Sequence, residues 1–445
     1  MAPSTRRRLQ AMSAVVDFPV KPEARPYLDA FAETASEPDW LRRARQVSLS
    51  RFAELGFPTR RSENWRYLDL QPLEKHPMLP SIVGQPMGVP PALMFDGSAA
   101  RIVLVDGRFA PELSRLALPE GIWFGSTHAA IGERPDLVAA FAIDTGAEHS
   151  FASLNAAFFA DGFVLEVGHG VVLDAPIEIV HLASGAGDAS LHTRSMIEMG
   201  AGSRATVVET YAGSGKYWRN DFALWRVEED AVLTRIALVE ETGEATHFED
   251  IDAVLLTERA KLNAFSLLLG GGAVRQEISV AMASVDAECR IDGAFVVSGR
   301  EEANIVTTID HQAIGGKTSE LIKGVAAGRG HGAFQGKIIV REGAQQTDAR
   351  QTSRNLILGR RAVIDTKPEL EILADDVKCA HGASVGDLDE AALFYLRARG
   401  IPTEEARRLL VDGFLREPIE GIADPAIREH LLRRLSLRLA RLEDE

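Results

Sequence analysis

Cys379 and His381 are the two residues whose type and spacing most directly suggest chemistry. They stand in C-x-H order in a chain with only two cysteines among 445 residues. A thiolate and an imidazole both bind soft or borderline metals. A closed zinc or iron–sulfur site on protein takes about four ligands. The pair offers two, and the flanking residues bring no further set. Either the pair is structural, or another chain completes the site. On a strand both side chains would share a face, since alternate residues point the same way.

Other motifs are weaker. Ala313-Ile-Gly-Gly-Lys-Thr318 resembles the end of a phosphate-binding loop, but the pattern needs Gly five residues before Gly316, where His311 stands. That loop should also open a helix. The next residues, SELIKGVA, read instead as a strand. Gly270-Gly-Gly272 lacks the dinucleotide fingerprint and its helix. No His-Glu-x-x-His, G-x-S-x-G or paired C-x-x-C occurs. His169, His181, His192, His311 and His331 lie scattered, and each reads as a surface or turn residue. Cys289 reads as a small core hydrophobe.

Composition narrows the class. A formal net charge of −15 opposes nucleic-acid binding, which needs clustered Lys and Arg. Two cysteines exclude a disulfide framework and fit a reducing, cytoplasmic compartment. No apolar run reaches the roughly 18–20 residues of a membrane span. The N-terminal MAPSTRRRLQAMSAVVDF has an arginine cluster but no apolar segment, and acidic Asp17 and Glu23 oppose a transit peptide. It reads as a disordered leader.

Three regions must position the candidate pair. Residues 1–95 read as a helical region with a proline-rich connector. A helix starts near Ser36–Asp39, carries Leu41, Ala44, Val47, Phe52 and Leu55, and stops at Gly56 and Pro58. Trp65 and Tyr67 anchor the following loop to the main body. Pro72, Pro77, Pro80, Pro86, Pro90 and Pro91 mark the connector.

Residues 96–375 form short β-branched segments with few intervening helical periods, apart from an insertion at about 127–160. Ile278, Ile291, Ile305, Leu321 and Phe334 recur 13–16 positions apart. That spacing favours a solenoid whose inward residues stack in columns. A two-sheet sandwich is the rival, but its tight Asn-Gly or Asp-Gly hairpins are scarce.

Residues 376–445 read as a helical domain. Asp387 is the N-cap candidate for a helix with Leu393, Tyr395 and Leu396. Thr403 starts a second helix. Asp424-Pro425 starts a third, with Ile427, Leu431, Leu435, Leu439 and Leu442 on one stripe. That stripe packs either within the chain or on a partner.

Lys367-Pro-Glu-Leu-Glu-Ile372, Asp375-Asp-Val-Lys-Cys-Ala-His-Gly382 and Phe394-Tyr-Leu-Arg-Ala-Arg-Gly400 resemble the SufB/SufD family of iron–sulfur cluster assembly proteins. Glu63-Asn-Trp-Arg-Tyr67, Leu154-Asn155 and Asp161-Gly162 ahead of Pro176-Ile177 resemble it too. The low cysteine count places the chain beside the cysteine-poor branch. The resemblance implies a mainly β fold, a right-handed parallel β-helix flanked by N-terminal and C-terminal helical domains. It also implies a non-enzymatic scaffold that works with a SufB-like subunit and a SufC-like ATPase docked on the C-terminal helices. His381, with Cys379 beside it, would then meet iron or an iron–sulfur cluster at the SufB-like interface, transiently and shared with that partner. A homodimer of the isolated chain stays open. The alternative from the residues alone is a β-helix carbohydrate-active enzyme, which needs carboxylates in an outward groove.

Overall fold

The computed structural model describes residues 20–32, 37–80, 88–90, 93–95, 97–142, 149–185, 187–255 and 257–442. The arginine-rich leader, Ser36, Pro86 and Pro91 lie outside the described residues.

The centre of the chain is a β-solenoid of about eight turns. Successive strands alternate between two sheets, so neighbours within a sheet come from every second strand. One sheet runs through Tyr217–Val227, Thr246–Leu255, Ala273–Met282, Glu302–His311, His331–Val340 and Val363–Ile372. The other runs through Val232–Glu241, Lys261–Gly270, Glu288–Val297, Lys317–Ala326, Asp348–Ile357 and Lys378–Gly386. All these pairings are parallel. A sandwich built of hairpins is therefore excluded. The 13–16-residue recurrence is half a turn, one strand of each sheet.

The corners show why the chain coils. Gly202, Asp230, Arg259, Asp286, Gly315 and Gln346 all have positive φ. Each donates its backbone N–H to a carbonyl of the next coil, as Asp286 does to Ile314 and Gly315 to Gln345. The left-handed conformation turns the strand and hands its amide along the solenoid axis. This corner also accounts for the Gly-Gly-Lys-Thr sequence. Gly315 turns at φ +78°, and a Cβ on Gly316 would lie 2.5 Å from His311 Nδ1. Lys317–Ala326 then runs on as a strand, so no phosphate-binding helix follows.

Alternate side chains fill the interior. Ile278 and Ile291 belong to one apolar cluster, and Ile305, Ile322 and Phe334 to another. Leu321 departs from expectation: it turns outward and Ile322 takes the inner place. A one-residue error of phase moves a strand side chain to the opposite face.

Helices cover the outer faces. The helix Asp39–Leu55 buries Leu41, Ser48, Leu49, Phe52 and Ala53, while Val47 is 61% exposed. Leu49, not Val47, completes the 3.6-residue face. Tyr27, Phe52, Phe57, Phe151, Trp218 and Phe248 form an aromatic cluster that fastens this N-terminal region to the first sheet. Trp65 joins it edge-on, 5.1 Å from Phe151 and 5.4 Å from Phe248. The insertion holds the helices Thr127–Glu133, Pro135–Ala142 and Ser150–Phe158.

At the other end, the helix Pro425–Arg441 is capped by Asp424, whose carboxylate accepts from Ala426 and Ile427. Its Ile427, Leu431, Leu435 and Leu439 are buried with Ile236, Leu238, Phe265 and Leu267 of the second sheet. The amphipathic stripe is thus satisfied within the chain. Asp389, rather than Asp387, caps Glu390–Ala398, accepting from Ala391 and Ala392. Among the described residues no helix is long and apolar enough to cross a membrane.

Candidate functional site

The strand Lys378–Gly386 carries Cys379 and His381, and it is the last strand of its sheet. Val363–Ile372 ends the other sheet. The described structure therefore leaves the final coil with two unpaired strand edges, whose free backbone groups are templates for another chain.

Register fixes where the pair points. Cys379 lies on Ala349 and His381 on Gln351. Ala349 and Gln351 are buried, whereas Arg350 and Arg354 between and beyond them are exposed. Cys379 and His381 thus share the inward face of the coil, at the end where no further rung covers it. Cys379 is half-buried against the apolar core, and burial pushes its thiol up, against a hydrogen bond with the Ala349 backbone. His381 is exposed. Among the described residues the two have no third His, Cys, Asp or Glu close enough to complete a metal-binding trio. What stands at this end is two donors, one shielded and one open.

Beneath His381 a polar column enters the solenoid. Gln351 Nε2 donates to Glu320 Oε2 at 2.6 Å, and Glu320 occupies the next inward position. Burial pushes the Glu320 carboxyl up to about 7, with the Gln351 hydrogen bond pulling the other way. A carboxyl raised in the folded state stabilises the fold fully below its unfolded value near 4.5, and that contribution is lost as pH rises through 7. Replacing Glu320 with Gln removes the titration. The stability of the native chain should fall by roughly 3 kcal/mol relative to E320Q between pH 4 and pH 8. Urea unfolding at the two pH values measures the difference.

Deeper in, the interior holds charge. Arg235 bonds Glu209 and lies 2.6 Å from Glu249, all buried. Tyr211 donates to Glu249 at 2.9 Å and stacks on His181 at 4.2 Å. Arg219 reaches Glu241 at 2.9 Å, and Glu241 meets His247 at 2.9 Å. These residues overturn one expectation. His181 and His311 are not surface or turn residues but lie in the core, and His192, though it stands between two strands, is buried as well. Burial holds His192 down at about 3 and His311 at about 4, so both are neutral; His181 is pushed down too, by burial and by Arg219. The strand positions of His181 and His311, in phase with the inward residues, were the available signal; His192 instead lies between the strands Ala189–Leu191 and Arg194–Met199, against Phe158 and Trp218. Cys289 is buried as expected, and burial raises its thiol.

Two blocks that stand far apart in the sequence meet on the outer face. Lys367 pairs with Glu63, 304 positions away. Asn64 Nδ2 donates to Glu277 Oε1 at 3.0 Å, and the Arg275 guanidinium lies 3.8 Å over the Trp65 ring. The Glu63–Tyr67 segment is thus a clasp that ties the N-terminal region to the last coil.

The chain matches the domain described as SUF system FeS cluster assembly, SufBD core domain, over residues 181–414, and the SufBD protein N-terminal region over residues 27–179. It is 30% identical to the iron-sulfur cluster assembly protein SufD of Escherichia coli, over 88% of this chain and 92% of that one. It is 28% identical to the protein of the same name in Bacillus subtilis, over 89% of this chain and 94% of that one.

Proposed function

Since the chain belongs to the SufBD family of the SUF iron–sulfur cluster assembly system, we propose that it is the SufD-like, non-catalytic scaffold subunit of a complex with a SufB-like subunit and a SufC-like ATPase. The observation that carries this reading is half a donor set, Cys379 and His381, on an unpaired terminal coil. A SufB-like solenoid end laid against these edges would continue both sheets and bring the missing donors. Iron or a nascent cluster is then substrate, held transiently and shared with the partner. His381 is the leading ligand because it is open, while the Cys379 thiol is shielded. Unpaired cysteines suit the reducing cytoplasm.

The C-terminal helices suit the ATPase. Glu390–Ala398 has no buried residue, and Phe394 and Tyr395 are 72% and 56% exposed. Two adjacent aromatics in water are typical anchors for a protein partner. Burying each is worth roughly 1.5–3 kcal/mol. Replacing both with alanine should weaken ATPase binding by about tenfold or more, with an unchanged melting temperature. Calorimetric titration with the SufC-like partner measures the loss; unaltered affinity would move the docking surface elsewhere.

The scaffold reading as a whole is tested by co-expressing the three subunits and isolating the complex. Recovery of this chain alone, with neither partner, would refute it.

A further inference from the structure

A cavity of about 560 Å³ opens on the outer face of the first sheet, between the Glu63–Trp65 clasp and the start of the helix Ser150–Phe158. Its wall holds His149, Asp250 and Glu277. Asp250 and Glu277 lie on adjacent rungs in direct register. His149 Nδ1 is 3.0 Å from Asp250 Oδ2. One donor atom from each of the three residues lies within 4.8 Å of the others. Among the described residues they are the trio of His, Cys, Asp or Glu donors so grouped.

Two further atoms are unsatisfied there. Asp250 Oδ1 is shut from solvent and accepts no hydrogen bond among the described residues. Gln335 follows Glu277 two rungs along the same ladder and lines the same cavity. It is 5% exposed, and its Oε1 is likewise without a donor, although its Nε2 donates to the Asn64 carbonyl. Buried acceptors without donors are costly and call for an occupant that supplies positive charge or protons. The cations around the cavity are already matched: Arg275 by Glu277, Lys337 by Glu371 and Lys367 by Glu63 and Glu369. Asp250 and nearby Asp252 face the imidazole of His149, with the Arg194 guanidinium acting on Asp252 from further off.

We propose that His149, Asp250 and Glu277 form a binding site for a divalent first-row metal ion of the Mn²⁺ or Fe²⁺ class, separate from the donors at the solenoid end. One imidazole and two carboxylates are a harder ligand set than a thiolate and an imidazole, and they suit these ions over copper(I) or a cluster. Ligand bonds of about 2.0–2.2 Å draw the three donors slightly together. Water in the cavity fills the remaining positions. Any proton on His149 leaves as the ion enters. The site joins the helical insertion to the sheet, so an ion there also braces the N-terminal region against the solenoid.

The test uses the full chain carrying Cys379→Ala and His381→Ala, which removes the terminal donors. Manganese(II) is titrated and its free aquo signal followed by electron paramagnetic resonance. About one ion should bind per chain, with a rise in melting temperature that grows with metal concentration. Asp250→Asn, close to isosteric, should weaken binding at least tenfold. If that variant does not fold, His149→Gln, at the margin of the sheet, should do the same. Equal binding with and without these substitutions, or no binding at millimolar manganese(II), overturns the assignment. Neither result bears on the scaffold reading, whose donors are already absent from the protein tested.

Discussion

His381→Ala should leave the chain folded and able to join its complex, yet lower the yield of assembled cluster at least about tenfold. The two halves of that expectation have separate causes. His381 is exposed on a terminal strand, so its loss opens no cavity and strands no buried partner. Surface changes of that kind shift stability by no more than about 0.5 kcal/mol. In the proposed ligand role, however, it would be one of two donors from this chain, and loss of residues that hold or orient a metal costs about 10–100-fold. Cys379→Ala should cost less in cluster yield, because the thiol is half-buried and burial disfavours the thiolate that binds metal. Anaerobic reconstitution of the purified complex, read by visible absorbance and by iron and sulfide content, measures both variants. A yield equal to the native complex for His381→Ala would remove the assignment.

Arg235→Met should destabilise the chain by about 3–5 kcal/mol, the largest stability effect expected of one substitution here. Arg235 is fully buried and bridges Glu209 and Glu249 inside the solenoid. Removing one partner of a buried ionic group leaves uncompensated charge, which costs about that amount. Burial already pushes the Glu209 carboxyl up, against the attraction of Arg235, so without the guanidinium it would take up a proton more readily. The loss should therefore be greater at pH 8 than at pH 5. Urea denaturation at the two pH values decides it. An effect below about 1 kcal/mol at both would show that the network is relaxed by water or by rearrangement. The triple substitution of Arg235, Glu209 and Glu249 by apolar residues should cost less than the single one.

The Cys379–His381 spacing, the strand over SELIKGVA and the stripe on Pro425–Arg441 were all legible because each follows from local chemistry. The period of two on a strand, the period of 3.6 on a helix and the identity of a capping residue need only near neighbours. Phase was less legible. Leu321 for Ile322, Val47 for Leu49 and Asp387 for Asp389 are each displaced by one or two residues, since several nearby residues fit a local pattern until packing selects one. The buried histidines and arginines were not legible as core. Residue type argues for the surface, and only register shows that Arg235 lies on Val207, two residues from Glu209 along the same face of the neighbouring strand, with Glu249 across the interior.

By itself the amino-acid order determined the elements, the coiling and the placing of Cys379 and His381 on one strand face, because each depends on spacing along one stretch of chain. Contacts between remote stretches were decided only on folding. Lys367 meets Glu63 across 304 positions, and His149, Asp250 and Glu277 meet at one cavity wall. The reason is geometric: each coil of about 29 residues places its side chains beside those of the next. A site on such a surface is therefore written across rungs, where no local motif can announce it.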